Sequence, residues 1–446
     1  MKFAGKKWIP RAILSFILMA GLMLRIWIAT SPGYEFDVGV NQGWGRSAIE
    51  IGLARSYVEQ VSGNMLPNYP PFSLMIFAAA EYAYQKIFSQ DFATQLVFHR
   101  IMIKLPAILA DIGTAIVFYF LFRRWRSRQS GILAAAFYTF HPVVLYDSAY
   151  WGQTDSIFTF FMTAAIALFA AGWMSLAGAL IALALFTKVQ TVMLGLFFLT
   201  IAILAGWKNF LKVCAGALPV GILVLLPFLL EGNVWTPINV MTASVGYYSI
   251  VSSAAYNFWW TLLGDTAGST PDTTLLFGVM SYRHVGFLIF GIANVFTTVL
   301  FWKRWRPFRQ SRATVVTLYA TASLLAFTFF FFSTQMHERY LFPFVALGLP
   351  VAFVNRRGAF LYISVCLFFL MNLMGWLPLG SFDRALFTTF PTLDVLIASC
   401  QLFAYISYVR YLTHLERRIL PPVKHHALPA WIRLRLPKFA TYLQRQ

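Results

Sequence analysis

Long apolar stretches recur from one end of this chain to the other, and few charged residues interrupt them. The 446 residues are 59% hydrophobic and 11% charged, whereas soluble domains carry about 25% charged residues. Because the apolar runs are spread over the whole length, a soluble enzyme with one or two anchors is excluded, as are disordered and fibrous chains. The sequence therefore predicts an all-α polytopic membrane protein.

The apolar runs define the expected spans, since ~20 apolar residues cross ~30 Å of hydrocarbon. Twelve transmembrane helices are predicted, at 12–30, 99–122, 129–146, 155–172, 174–187, 189–207, 210–230, 284–302, 313–332, 340–354, 359–377 and 392–410. Segment 71–88 is also apolar but carries Glu81, Gln85 and Lys86, so we expect a helix at the membrane surface or half inserted. Residues 1–446 are expected to form a single transmembrane domain.

Basic residues indicate the orientation, because Lys and Arg near span ends collect on the cytoplasmic side. With these spans, most of the 35 Lys and Arg residues lie on one side, and Glu416 is the one acidic residue of 16 that joins them. We therefore expect both termini, and a basic tail over 411–446, in the cytoplasm. The net charge of +19 then suits an anionic inner leaflet, and nucleic acid is not needed to explain it.

The other side of the membrane holds most acidic residues, and ionisable groups at membrane depth are candidates for function. A long outer loop is predicted at 31–98, beginning with Glu35 and Asp37, and a second at 231–283. Apolar residues at helical spacing between 41 and 61 predict an amphipathic surface helix. Asp111 lies within a span, where it either hydrogen-bonds inside the bundle or faces a water-filled cavity.

Further polar groups are predicted on the outer side. They comprise Asn68-Tyr69-Pro70-Pro71, the segment 146–156 with Gln153 and Asp155, the isolated Lys188, and the segment 333–340 with His337, Glu338 and Arg339. Asp155 either contacts substrate or belongs to a turn that caps the fourth span. Lys188 either binds a ligand or snorkels to the head groups.

Aromatic residues are concentrated in two places on this side. Those between 247 and 260 could stack on a sugar, although enrichment of Trp and Tyr at membrane interfaces is the better-supported explanation. The phenylalanines within 328–332 are expected to face lipid or a lipid tail.

The combination of these features resembles the GT-C superfamily of integral-membrane glycosyltransferases. The segments NYPP (68–71), YWGQTDS (150–156) and QMHERYLFPF (335–344) look like those of bacterial relatives of the second GPI mannosyltransferase. They are more distantly similar to dolichol-phosphate-glucose-dependent glucosyltransferases. The resemblance implies a GT-C-like bundle in a bacterial plasma (inner) membrane, with its active site at the outer, periplasmic face. It also implies a polyprenyl-phosphate sugar donor, with mannose favoured, a lipid-linked or glycan acceptor, and inversion.

The resemblance assigns expected roles to residues. Asp37 is expected to be the general base, because inversion in a single displacement needs one carboxylate to activate the acceptor hydroxyl; Glu35 is its rival. Arg339, His337 and Lys188 are expected at the donor phosphate, where cations stabilise the developing charge. The residues expected to position substrates are Glu35, Tyr69, Gln153, Asp155 and Glu338.

No cofactor and no metal is expected. The pair Glu35 and Asp37 offers oxygen ligands that suit Mg²⁺ or Mn²⁺, but the resembled lipid-monophosphate enzymes generally act without metal. Walker A and dinucleotide-binding sequences do not occur, which disfavours nucleotide donors.

Two other functions stay open: a transporter or flippase of lipid-linked sugars, and a non-catalytic subunit for polysaccharide assembly. Because the chain lacks two similar halves, the transporter is disfavoured.

Overall fold

A computed structural model describes residues 9–61, 63–88, 96–304 and 312–419 of the chain. Within these ranges the chain is predominantly helical, which confirms the predicted all-α class. Residues 420–446 of the predicted tail lie outside the described part. Residues 411–419 continue the last helix instead of starting a separate tail.

The described helices follow one another in a fixed order. They are α1 (Ile9–Ala29), α2 (Glu35–Glu50), α3 (Pro71–Ile87), α4 (Leu96–Trp125), α5 (Arg128–Thr139), α6 (Pro142–Val144), α7 (Asp155–Ala171), α8 (Met174–Thr187), α9 (Gly195–Leu204), α10 (Trp207–Leu230), α11 (Trp235–Ala243), α12 (Phe258–Leu263), α13 (Tyr282–Arg304), α14 (Arg312–Phe332), α15 (Phe342–Ala352), α16 (Arg356–Trp376), α17 (Ser381–Thr389) and α18 (Leu393–Ile419). Short 3-10 segments occupy Arg55–Tyr57, Val189–Leu194 and Gly264–Gly268.

Four two-residue strands accompany the helices. They are β1 (Ser252–Ser253), β2 (Leu275–Leu276), β3 (Met280–Ser281) and β4 (Met336–His337). β1 pairs in parallel with β4, which places Ser253 opposite His337, and β2 pairs antiparallel with β3. The β1–β4 pair therefore joins the predicted second outer loop to the segment after α14.

Seven of the described helices are long and apolar enough to cross a membrane, namely α1, α4, α10, α13, α14, α16 and α18. Four shorter apolar helices are α7, α8, the continuous stretch Val189–Leu204, and α15. These helices coincide with all but one of the predicted spans. A lipid-bilayer environment is supported by them, whereas the number of twelve crossings stays a prediction.

The remaining predicted span, 129–146, is not one continuous helix. α5 ends at Thr139, and Pro142 begins the single turn α6. Proline fixes φ and has no N–H to continue the preceding helical ladder. A π-helical segment, Leu145–Trp151, follows and ends at Gly152, whose φ is 93°. This interruption folds the polar segment around Asp147 and Gln153 into the helix bundle.

The first predicted outer loop is helical earlier than expected. α2 begins at Glu35, not at Asn41, so Asp37 lies in the first turn of a helix. Carboxylates are favoured at this end of the helix dipole. α2 ends at Glu50, short of the predicted Val61, and Gly52 follows at a φ of 93°, a conformation that glycine adopts readily. α3 agrees with the helix predicted at 71–88.

The main core lies among α4, α5, α7, α14, α15 and α16. Phe330 and Phe331 are fully buried in it, whereas Phe329 and Phe332 are half-buried, so the expectation that this run faces lipid or a lipid tail is wrong for Phe330 and Phe331. A buried ion pair ties α1 to this core: Arg25 Nε lies 3.3 Å from Asp111 Oδ2, and Ser148 and Ser156 also donate to the Asp111 carboxylate. The expected hydrogen bonding of Asp111 within the bundle is confirmed.

Candidate active site

Asp37 is held beside the interrupted segment by the start of α2. The Tyr34 N–H donates to the Trp151 carbonyl at 3.1 Å. Gly33, with a φ of 66°, packs so closely on the backbone of Tyr150 and Trp151 that a Cβ would clash. One helical turn later the half-buried Asp37 accepts a hydrogen bond from the Gln153 side-chain amide. The structure therefore places Gln153 and Asp37 in direct contact.

Glu35 has a different environment from Asp37, although it is only two residues away. Its side chain is 72% exposed, and its Oε1 lies 3.3 Å from Arg100. The two carboxylates therefore have separate partners, and Glu35 belongs to a surface ion pair.

Lys188 forms a buried ion pair with Asp155. Its Nζ lies 2.8 Å from Asp155 Oδ1, and the two side chains are 2% and 1% exposed. The rings of Tyr69 and Tyr340 lie 5.5 and 5.3 Å from the ammonium, within the range of cation–π attraction. The snorkelling explanation of Lys188 is therefore wrong. Burial alone would lower the pKa of Lys188, but the Asp155 carboxylate raises it above its usual value, so Lys188 is charged.

The capping explanation of Asp155 is also wrong. Thr154 occupies the N-cap of α7 without a side-chain capping bond. Ser156 donates to Asp111 at 2.6 Å, and Asp155 pairs with Lys188. The side chains at the start of α7 are therefore used for contacts between helices, because their partners lie on other segments of the bundle.

His337 ends β4, Glu338 and Arg339 follow it, and Arg339 lies against the Lys188–Asp155 pair. Arg339 NH1 lies 2.7 Å from Glu338 Oε1, and His337 Nδ1 lies 3.8 Å from Glu338 Oε2. Arg339 Nε is 4.0 Å from Asp155 Oδ2. Asp155 thus faces both cations, and Glu338 contacts Arg339 and lies near His337.

Burial and pairing determine the charges of this segment. Burial would raise the pKa of Glu338, but Arg339 and His337 hold it below its usual value. Burial would lower the pKa of Arg339, whereas Glu338 and Asp37 raise it. Burial lowers the pKa of His337, so its ring is neutral at neutral pH. The segment therefore presents an ionised carboxylate and guanidinium beside a neutral imidazole.

Several polar atoms in this cluster are buried without a hydrogen-bond partner among the described residues. They include Asp155 Oδ2, Arg339 Nε, His337 Nε2 and both carboxylate oxygens of Asp147. Such atoms are rare in folded proteins, because each costs desolvation energy. Burial and the nearby Asp155 raise the pKa of Asp147 well above its usual value. Unsatisfied donors and acceptors around the Asp155, Lys188 and Arg339 side chains mark a place where a polar ligand would gain hydrogen bonds.

A second network supports the His337 segment, and sequence reasoning missed it. Gln335, at a φ of 63°, donates to Asp272 Oδ2 at 2.6 Å, and Thr334 donates to the same oxygen at 3.0 Å. Arg283 pairs with Asp272 at 2.7 Å. Gln335 stands at the start of the quoted motif, but no local pattern links it to Asp272, because that contact spans 63 residues.

The aromatic residues of the second outer loop divide into two groups. Trp259 and Trp260 are buried, and their indole N–H groups donate to the Phe332 carbonyl and to Asp394. The interfacial explanation is therefore wrong for these two residues. Tyr248 is exposed and meets the His337 ring edge-on, with centroids 4.6 Å apart. Tyr248 is thus an additional member of the cluster.

Within the described residues, no group of three or more His, Cys, Asp or Glu side chains could hold a metal ion.

No protein-family model matches the chain, and no curated protein matches it either. The candidate site therefore consists of Asp37, Tyr69, Gln153, Asp155, Lys188, His337, Glu338 and Arg339, brought together from distant parts of one membrane-embedded helical chain.

Proposed function

We propose that this protein is an inverting glycosyltransferase of the GT-C type. It transfers a hexose, with mannose favoured, from a polyprenyl phosphate to a lipid-linked or glycan acceptor at the outer face of a bacterial plasma membrane. The observation that carries the proposal is a half-buried carboxylate, Asp37, that interacts electrostatically with the buried Arg339, which in turn shares Asp155 with the buried Lys188. A carboxylate beside cations is the arrangement that phosphate displacement by a hydroxyl requires.

Asp37 acts as the general base. It takes the proton from the acceptor hydroxyl while the hydroxyl oxygen forms the new bond to the sugar's anomeric carbon. Gln153 donates to the Asp37 carboxylate and so holds one oxygen, which leaves the other to receive the proton. Glu35 is less suited to this role, since it is mostly exposed and paired with Arg100.

Lys188 and Arg339 stabilise the leaving phosphate. As the bond from the anomeric carbon to the phosphate oxygen breaks, its electron pair remains on the phosphate. Lys188 is paired with Asp155, and Arg339 with Glu338 and more distantly with Asp155, which keeps both cations charged and oriented. An ammonium has three donors and a guanidinium five, so both retain donors for phosphate oxygens. His337, which is neutral, offers a further unpartnered ring nitrogen.

The test is incubation of the purified protein, in vesicles that contain a membrane lipid extract, with synthetic polyprenyl-phosphate mannose or glucose. We expect one donor to yield a new glycosylated species on mass analysis of the lipid and glycan fractions. Movement of the intact donor across the vesicle membrane, with no new glycosidic bond in either fraction, would instead assign a flippase and contradict the proposal.

A further inference from the structure

A β-hairpin with an apolar tip lies in the predicted second outer loop. Its strands β2 and β3 pair antiparallel, and the residues of the tip, 275–280, read LLFGVM. This apolar tip carries no polar or charged side chain. Its side chains are nevertheless exposed, by 92% at Phe277, 82% at Val279 and 55% at Leu275. Exposed apolar segments of this kind mark surfaces that contact lipid or another protein.

The backbone of the turn holds Phe277 in its exposed position. Phe277 and Gly278 have φ values of 52° and 71°, and the Val279 N–H donates to the Leu276 carbonyl at 3.1 Å. Positive φ at both central residues is typical of tight hairpin turns, in which Asn, Asp and Gly are preferred. A phenylalanine in this conformation is strained. Because its ring is almost fully exposed, contacts within the described protein do not offset the strain.

The base of the hairpin is attached firmly to the protein. The Arg283 N–H donates to the Asp272 carbonyl at 2.9 Å, and the two side chains form an ion pair at 2.7 Å. The Asp272 carboxylate also accepts from Thr334 and Gln335, which precede β4. The apolar tip is therefore connected through Asp272 to the strand that contains His337.

α13 places the hairpin beside the membrane surface. The apolar span of this helix begins at Tyr282, so only Ser281 separates it from Met280 at the end of the apolar tip. Because two residues of chain cover at most about 7 Å, Met280 lies close to the point where α13 enters the lipid. The tip is therefore continuous with a surface that already contacts the bilayer.

We propose that the apolar tip inserts into the lipid leaflet at the N-terminal end of α13. Insertion is favourable because it removes apolar side chains from water. A specific protein interface has about 20–30 residues on each side, which is many more than the tip offers. Through Asp272, insertion fixes the position of the His337 strand relative to the lipid head groups. This surface is separate from the candidate site and does not depend on sugar transfer.

Photo-cross-linking tests the proposal without an assay of activity. Benzoylphenylalanine, which reacts on irradiation with C–H bonds in its reach, replaces Phe277 or, in a second variant, Val279. The purified full-length chain is placed in phosphatidylcholine vesicles, and we expect both variants to gain the mass of a phospholipid. Ser269, an exposed polar residue of the same loop, is the matched control position and should give no adduct. Ile292, which is 62% exposed on α13, should give one.

A second comparison uses the Val279 probe with a changed neighbour. Phe277→Asp should reduce the yield of the lipid adduct, because a charged side chain is costly in lipid, whereas Phe277→Leu should keep it. Equal yields from these two variants would contradict insertion of the tip.

Three other results would also overturn the proposal. Absence of a lipid adduct at both Phe277 and Val279, with labelling at Ile292, would show that the tip faces water. Equal lipid yields at Ser269 and Phe277 would show that the labelling is not specific to the tip. A cross-link between two copies of the chain would assign the tip to an interface between protomers.

Discussion

The Arg25–Asp111 pair and the charges around Lys188 are buried alike, but they differ in how far their hydrogen bonds are satisfied. Both oxygens of Asp111 accept, from Arg25, Ser148 and Ser156. Arg25 also donates to the carbonyls of Gly21 and Thr139 and leaves one amino nitrogen unpartnered. In the other cluster Asp155, Arg339, His337 and Asp147 all retain buried atoms without partners in the described chain.

We infer from this difference that the Arg25–Asp111 pair stabilises the fold, whereas the charges around Lys188 bind a ligand. Both oxygens of the fully buried Asp111 already accept hydrogen bonds from protein side chains, so we assign Asp111 to joining α1, α4 and α7. Unsatisfied buried groups cost stability, and we attribute those of Asp155, Arg339, His337 and Asp147 to substrate binding. The two clusters meet at the start of α7, since Asp155 and the adjacent Ser156 belong to different ones.

The largest expected effect on stability follows from breaking the structural pair. Asp111→Leu leaves Arg25 buried without its counter-charge, which costs about 3–5 kcal/mol. The double variant Arg25→Met/Asp111→Leu removes both charges and should recover most of the loss. Thermal unfolding in detergent measures both. A single variant as stable as wild type would show that the pair does not hold α1 in place.

The same double exchange at the other cluster should have a different outcome. Lys188→Met/Asp155→Leu removes both charges and should keep stability within about 1–4 kcal/mol of wild type, in either direction. Sugar transfer should nevertheless fall about 10²–10³-fold, as it does when a donor to transition-state charge is lost. Transfer assays and unfolding curves on the same preparation give both values. A double variant with wild-type transfer would make this pair structural as well.

Asp272 provides a pH-dependent test of the loop that supports the His337 segment. Burial would raise the pKa of Asp272, but hydrogen bonds from Arg283, Gln335 and Thr334 hold it below its usual value. The carboxylate therefore stabilises the fold above the unfolded pKa of about 3.9, and this contribution is lost as pH falls through the folded pKa. Asp272→Asn should cost about 2 kcal/mol near pH 7.

The stability difference between Asp272→Asn and wild type should shrink as the pH falls below about 4. Unfolding measured across this range gives the profile, with Asp383→Asn as a control carboxylate at a separate turn. A difference that does not change with pH would show that the ionised carboxylate is not what attaches the loop.

The smallest effect is expected at Glu35. Its pair with Arg100 is exposed, and exposed ion pairs contribute about 0–1 kcal/mol. Glu35→Gln should therefore change stability by no more than this and leave transfer near the wild-type rate. A large loss of transfer in Glu35→Gln would move the base assignment from Asp37 to Glu35.

The sequence predicts the long apolar helices well because lipid requires apolar runs, but it misses the interruptions near Gly52 and Pro142, which fall inside the helix predicted over 41–61 and the span predicted at 129–146. It does not predict which helix faces are buried, because lipid tails are as apolar as a protein core. Phe330 and Phe331 thus give the same pattern whether they face lipid or pack inside. Hydropathy therefore identifies spans but not their neighbours.

For the site, too, the sequence identifies individual residues but not the distant residues that they contact. The polar residues that interrupt the apolar runs, such as Gln153, Lys188 and Arg339, can be selected from the sequence, because polar groups at membrane depth are costly. Their partners cannot be selected in this way, since the Lys188–Asp155 contact joins residues 33 apart and the Gln335–Asp272 contact joins residues 63 apart. Such pairs depend on how the helices pack.

The most direct test of the central claim is the rate of sugar transfer by Asp37→Asn, measured beside Glu35→Gln. The amide keeps the shape of the side chain but cannot accept the acceptor's proton, so we expect a loss of about 10²–10⁴-fold with donor binding unchanged. Glu35→Gln should transfer at nearly the wild-type rate. Transfer by Asp37→Asn at the wild-type rate would contradict the account, because no carboxylate at position 37 would then be needed.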